Sequence, residues 1–286
     1  MKVFIAEFSG FCYGVKRAVD IVRDLIKSRK GPIHILGNLI HNPTVVEELS
    51  KAGVIKVASV SEAKSGILVI RSHGATKQIL DEARERKLTI TDTTCPNVKN
   101  AQVIAQDLIE RDFQVVIVGD KGHAEVEGIL SYTLDRAIVV DGVESLKKFD
   151  KDLEGKIGVV CQTTIHLSDL KQVVEYLLGR TRELVVHNTI CDVTTRRQAA
   201  TLELAKHVDA MIIVGGKESA NTARLAEISS QTGVKTYQVE TEFDMKPDWF
   251  QKDMVVGLSA GASTPSDITL SVQKRLVAWE EEGIIA

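Results

Sequence analysis

The sequence predicts an α/β protein of three small lobes with mostly parallel sheets, related by a pseudo-threefold repeat. Three observations predict it. Short β-branched runs (Ile33–Leu36, Ile67–Ile70, Val115–Val118, Ile157–Val160, Met211–Val214 and Met254–Leu258) alternate with longer helical patterns, as in parallel sheets. Three cysteines, Cys12, Cys95 and Cys191, each open a helical pattern. Glycines that end strands, Gly37, Gly119 and Gly215, follow them by 25, 24 and 24 residues. Lobes of ~90 residues suit small α/β units. The expected boundaries are 13–95, 96–190 and 191–286, with residues 1–12 an N-terminal strand.

Each element has a local reason. After Cys12, the residues Val15, Ala18, Val19, Val22, Leu25 and Ile26 share one helical face. Pro96 follows Cys95 directly, the favoured first position of a helix. Four residues beyond the three glycines stand His41, His123 and Ser219, each ahead of another helix, the first announced by Asn42-Pro43. A second polar loop follows the last strand of each repeat: Arg71-Ser72-His73-Gly74, Cys161-Gln162-Thr163-Thr164 and Ser259-Ala260-Gly261-Ala262-Ser263. His73, Thr163 and Ser259 lie 61, 68 and 68 residues beyond their cysteines. In parallel α/β sheets ligands bind outside the carboxyl ends of the strands, and all these residues occupy such positions. Three lobes aiming those ends at one centre would gather cysteines, histidines and hydroxyls in a single cavity.

Composition narrows the function. Lys and Arg total 36 against 39 Asp and Glu, a net charge of −3, which excludes a broad basic nucleic-acid footprint. Aromatics at 5% argue against base-stacking platforms. The opening MKVFIAEF is interrupted by Glu7, so neither a signal peptide nor a membrane span is expected, and the chain reads as cytoplasmic. Disulfides are not expected there, and the absence of a C-x-x-C pair argues against a zinc ribbon or a thioredoxin motif.

One cysteine at a strand–helix junction is as readily a small buried residue as a ligand; recurrence at one phase in three repeats favours chemistry. Helix N-termini lower thiol pKa and supply the thiolate that metals need. Three thiolates without a fourth fit an iron–sulfur cluster with one open iron, and zinc held by three sulfurs and a histidine competes. Cys161 is out of phase and reads as a packed strand residue. His41, His73 and His123 suit an anion pocket with helix N–H groups, although a loop histidine can equally make a local hydrogen bond. His34, His166, His187 and His207 show no repeat phase and read as surface or satisfied. Ser219, Asn221, Ser259 and Ser263 offer neutral donors, and each singly is also explained as a helix cap. Glu125 beside a phosphate is tolerable only when protonated, which is what a proton donor needs. Thr163 would pass that proton or hold a substrate hydroxyl.

The stretch Ala6-Glu7-Phe8-Ser9-Gly10-Phe11-Cys12-Tyr13-Gly14-Val15-Lys16-Arg17-Ala18-Val19 resembles the N-terminal signature of the LytB/IspH family, the 4-hydroxy-3-methylbut-2-enyl diphosphate reductases. The resemblance continues through Ile40-His41-Asn42-Pro43, Arg71-Ser72-His73-Gly74, Asp92-Thr93-Thr94-Cys95-Pro96, Gln162-Thr163-Thr164, Asn188-Thr189-Ile190-Cys191 and Ser259-Ala260-Gly261-Ala262-Ser263-Thr264-Pro265. It implies a cloverleaf of three lobes around a 4Fe–4S cluster held by Cys12, Cys95 and Cys191, with one open iron for the substrate's hydroxyl. It also implies a diphosphate held by His41, His73, Ser219, Asn221 and Ser263 with His123 beside it. Glu125 would deliver protons, Thr163 would stand near the substrate oxygen, and ferredoxin or flavodoxin would supply electrons. The first strand would complete the third lobe's sheet. Departures are Ala124 where the family commonly has proline, Ala220 for a second serine, and Asp192-Val193-Thr194 for Asn-Ala-Thr. A non-catalytic iron–sulfur or zinc sensor of a phosphorylated metabolite, and a metal-free phosphometabolite enzyme, are the alternatives.

Overall fold

The apolar β-branched runs become the interior strands of three four-stranded sheets. The structure, a computed structural model, describes all residues except 29, 152, 154 and 286. The chain opens with β1 (Lys2–Ile5) and α1 (Tyr13–Ser28). A first sheet follows from β2 (Ile33–Leu36), α2 (Pro43–Lys51), β3 (Val54–Val57), β4 (Ile67–Ile70), α3 (Lys77–Glu85) and β5 (Thr89–Asp92), in the order β3-β2-β4-β5. The second comprises α4 (Pro96–Glu110), β6 (Gln114–Val118), α5 (Ala124–Ser131), β7 (Ile138–Val140), α6 (Val143–Leu146), β8 (Lys156–Cys161), α7 (Leu167–Leu178) and β9 (Glu183–Val186), in the order β7-β6-β8-β9. The third is built from α8 (Asp192–Ala205), β10 (Ala210–Val214), α9 (Ala220–Ser230), β11 (Lys235–Val239), β12 (Val255–Ala260) and α10 (Ser266–Glu281). Its order is β1-β12-β10-β11, so the first strand of the chain is an edge of the last sheet, in register from Lys2↔Val255 to Ile5↔Leu258. Every ladder between described strands is parallel.

The chain forms two compact units. One contains residues 1–15, 41–45 and 192–286 with the third sheet; the other contains 16–40 and 46–191 with the first two. Interior strands are buried on both faces. On β6, Val116 and Val118 pack with Ile157, Val159 and Leu177 on one side, while Val115 and Ile117 pack with Leu108, Ile129 and Val160 on the other. β10 divides in the same way, Ile212 and Val214 facing Val272 and Leu276, Met211 and Ile213 facing Leu225. That double coverage is why these strands read as continuous apolar runs, each large side chain contributing about 2 kcal/mol of burial. The helix side approaches closely: a Cβ on Gly158 would stand 2.8 Å from Leu108 Cδ1, so β8 needs glycine there.

The strand ends repeat one hydrogen-bonding device. The N–H of Gly37, Gly119 and Gly215 donates to the last residue of the adjacent strand, Val57, Val140 and Val239, at 2.9, 2.7 and 2.8 Å. The chain is thereby turned out of the sheet at the same point three times, and the polar residues that follow are delivered to the carboxyl ends.

Candidate active site

Each in-phase cysteine is seated the same way. Its N–H donates to a carbonyl in the polar loop after an interior strand, β12, β4 or β8: Cys12 to Ala262 at 3.1 Å, Cys95 to Ser72 at 2.9 Å and Cys191 to Thr163 at 3.0 Å. Each then leads directly into a helix, α1, α4 or α8, with Cys95 as the N-cap and Pro96 behind it. The sulfurs meet donors. Val15 N–H approaches Cys12 Sγ at 3.4 Å, and Asn97 Nδ2 donates to Cys191 Sγ at 3.1 Å. These three thiols are half-buried, whereas Cys161 is buried at the end of β8. There Thr189 Oγ1 accepts Cys161 N–H at 2.9 Å and lies 3.4 Å from its sulfur. Burial pushes the Cys161 thiol up, so it is poorly placed to become a thiolate.

In the larger unit a carboxyl is enclosed between α5 and the loop after β8. Glu125 is 2% exposed, and its oxygens accept Thr163 N–H at 2.6 Å and Thr163 Oγ1–H at 3.0 Å. Burial raises its pKa to about 7, against the opposing pull of the two Thr163 hydrogen bonds, with Asp120 adding a smaller upward push. The loop is braced by Gln162, which accepts Asp120 N–H at 2.8 Å and donates to Thr164 Oγ1 at 3.0 Å. His123 caps α5: its Nδ1 accepts Glu125 N–H at 3.2 Å. His73 stands edge-on to it, ring centroids 5.6 Å apart. The turn that delivers His73 requires Gly74, whose N–H bonds Arg71 O, because its φ of +83° is a backbone conformation that residues with a Cβ rarely adopt.

The smaller unit offers neutral groups. Ser219 caps α9, its Oγ accepting Thr222 N–H at 3.3 Å, and its hydroxyl hydrogen can still be donated. Asn221, 6% exposed in the first turn of α9, has no hydrogen-bond partner for either side-chain amide atom among the described residues. Ser263 Oγ donates to His41 O at 3.0 Å, placing the two expected ligand-binding residues in contact. The first helix of this set is capped one residue beyond the repeat phase, by Asn42 accepting Val45 N–H at 3.0 Å, which leaves the His41 ring out of the capping role. Ser259 is structural: it is buried and bonded to Thr201 on α8 at 2.7 Å.

His34 is not a surface or satisfied histidine; it is 6% exposed on β2, and its Nδ1 has no partner among the described residues. Sequence reasoning also passed over Asn97, Arg17 and Arg197, whose side chains reach the cysteine segments. Their signal was present only as a polar or basic residue two to six positions beyond each cysteine, which alone looks like an ordinary exposed helix face.

The family model described as "LytB protein" matches residues 3–277. A 4-hydroxy-3-methylbut-2-enyl diphosphate reductase of Trichlorobacter lovleyi is 44% identical over 96% of this chain and 98% of its own length. An enzyme of the same name from Anaeromyxobacter is 45% identical over 93% of each chain. Among solved structures, the E-1-hydroxy-2-methyl-but-2-enyl-4-diphosphate reductase of Plasmodium falciparum superposes with a TM-score of 0.89 at 29% identity, covering 97% of this chain and 87% of that one. A second, described as (E)-4-hydroxy-3-methyl-but-2-enyl diphosphate reductase, the terminal enzyme of the non-mevalonate pathway, gives 0.71 at 39% identity, covering 97% of this chain and 100% of that one. With three parallel sheets, the repeated seating of three cysteines and a match over nearly all its length, the chain belongs to the LytB protein family.

Proposed function

We propose that the chain is a 4-hydroxy-3-methylbut-2-enyl diphosphate reductase, forming isopentenyl and dimethylallyl diphosphates in the last step of non-mevalonate isoprenoid synthesis. One observation carries the reading: Thr163 joins the protonatable carboxyl to a cysteine segment, bonding Glu125 through its N–H and Oγ1 while its carbonyl receives Cys191 N–H. A sensor that only bound a metabolite would not need a carboxyl raised to about 7 at that point. We further infer three lobes, 13–95, 96–190 and 191–286, each bringing one cysteine.

The donor set fits an iron–sulfur group: three half-buried thiols at helix starts, two meeting N–H donors, and a fourth thiol withheld by burial. Cys12, Cys95 and Cys191 would hold a 4Fe–4S cluster. Such a cluster, with one iron lacking a protein ligand, accepts electrons singly and offers a Lewis acid to a hydroxyl.

The residues then divide the work. Below about pH 7 Glu125 is protonated, and its O–H donates to Thr163 Oγ1. The Thr163 hydroxyl hydrogen is then free to turn toward a substrate oxygen, so the pair relays a proton. His41, His73, His123, Ser219, Asn221 and Ser263 would bind the diphosphate; Asn221 stands ready with an uncommitted amide. In the overall reaction the carbon–oxygen bond breaks and the hydroxyl leaves as water with one proton. A second proton adds to the allylic carbon, and two electrons come from a one-electron carrier, ferredoxin or flavodoxin. No described helix is long and apolar enough to cross a membrane, in keeping with the cytoplasmic setting proposed here.

Anaerobic purification and reconstitution, followed by iron and sulfide analysis, tests the reading. Wild type is expected to carry about four irons and to oxidise reduced viologen only when the diphosphate substrate is added; Cys95→Ser should retain less iron and lose turnover. A colourless wild type without iron, or loaded protein inert to the substrate, would sink it.

A further inference from the structure

Three side chains outside the ligand and proton machinery form a pattern of their own. Arg17, on α1, donates from Nη1 to the carbonyls of Thr93 and Thr94, both at 3.4 Å, in the segment that delivers Cys95. Asn97, in the first turn of α4, donates to Cys191 Sγ at 3.1 Å. Arg197, on α8, is 1% exposed and donates from Nε to Phe8 O at 2.7 Å and from Nη2 to Gly10 O at 2.6 Å, in the segment that delivers Cys12. The helix opened by each cysteine thus serves another cysteine: α1 the second, α4 the third, α8 the first.

The segment served by Arg197 needs support most. Phe8 and Gly10 both adopt left-handed backbone, at φ +61° and +93°, and the phenylalanine is strained there. A buried guanidinium spanning two carbonyls fixes that turn as no monodentate group could. Asn97 acts on the sulfur itself, since an N–H donor stabilises negative charge on a thiolate.

We propose that Arg17, Asn97 and Arg197 are positioning residues, each fixing one cysteine segment within its own unit, so that each thiol is set before the metal arrives. The proposal rests on the iron–sulfur reading for its purpose, though the contacts belong to the chain alone. Loss of one member loosens one segment selectively, and loss of the Asn97 donor alters the electronics of a sulfur without touching the backbone.

Full-length Arg17→Met, Asn97→Ala, Arg197→Met and Arg197→Lys provide the test, first by hydrogen exchange in the metal-free protein. Arg197→Met is expected to speed exchange in residues 8–14 about tenfold and leave 92–96 unchanged, Arg17→Met to do the reverse. Arg197→Lys, keeping one donor, should fall between. Loaded anaerobically, the two methionine variants should surrender iron to a chelator about tenfold faster than wild type. Asn97→Ala should shift the midpoint potential to more negative values while its circular dichroism and urea midpoint stay as in wild type. Uniform or absent exchange changes, or an unmoved potential in Asn97→Ala, would overturn the proposal. If Arg197→Met does not fold, Arg197→Lys and the exposed Asn97→Ala decide. A wild type that takes up no iron defeats the iron–sulfur reading instead, while the metal-free exchange still decides whether these residues position the segments.

Discussion

The enclosure around Glu125 and the first turn of α9 around Asn221 are both buried and both polar, yet they are satisfied in opposite ways. Glu125 already has two protein donors, from one residue, Thr163. Asn221 has none of its side-chain hydrogen bonds made among the described residues. A buried amide left without partners costs about 1–3 kcal/mol, and a ligand that completes it recovers that cost on binding. The difference separates a group organised in advance to hold a proton from one that a ligand completes.

Glu125→Gln should therefore break the two apart. It keeps the size and the hydrogen-bonding position but cannot give up a proton, and kcat is expected to fall roughly 10²–10⁴-fold with KM nearly unchanged. Steady-state kinetics with reduced viologen reads both, and a large change in KM with intact kcat would reassign Glu125 to binding.

The same carboxyl makes stability depend on pH. Its pKa stands near 7 in the folded chain and near 4.5 when unfolded, so the folded state binds the proton more tightly. Its favourable contribution is complete below about pH 4.5 and is lost as pH rises through about 7, a swing of about 3 kcal/mol. Urea unfolding of wild type minus Glu125→Gln at pH 5 and pH 8.5 measures it; no difference between the two pH values would place the pKa elsewhere. Turnover should fall over the same upper range as the donor ionises.

Asn221→Ala is the counterpart. Expected are a rise in KM of roughly 10-fold or more, kcat within a few-fold, and no loss of folding stability, because the amide has no partner to lose among the described residues. A drop in urea midpoint without a change in KM would show Asn221 to be structural. Smallest is Cys161→Ala, a loss of about 1 kcal/mol in stability from a small buried group, with iron content and turnover retained.

Much of this was legible in advance, for a definable reason. The six strands read from sequence are the two interior strands of each sheet: β2 and β4, β6 and β8, β10 and β12. Edge strands such as β5, TITD, and β11, KTYQV, mix polar with apolar residues, so they carry no continuous run. The reading of His34 as surface or satisfied rests on repeat phase alone, whereas its apolar neighbours Ile33, Ile35 and Leu36 belong to an interior strand covered on both faces. Among the site residues, repeat phase picked out the cysteines, yet it missed Arg17, Asn97 and Arg197, which lie at different distances beyond them.

What the amino-acid order determined alone is periodic and local: alternating strands and helices, glycines where the chain leaves a sheet, a thiol ahead of each of three helices. Tertiary structure decided which polar groups lose water and which partners replace it. Glu125 and Asn221 each lie in the first turn of a helix, and only the enclosing neighbours make one a raised acid and the other an open amide. Cys161 ends β8 and Cys191 follows β9 of the same sheet, yet burial pushes the first thiol up while the second is half-buried with an amide donor on its sulfur. Desolvation and hydrogen bonding between residues distant in sequence set protonation, and no local pattern encodes them.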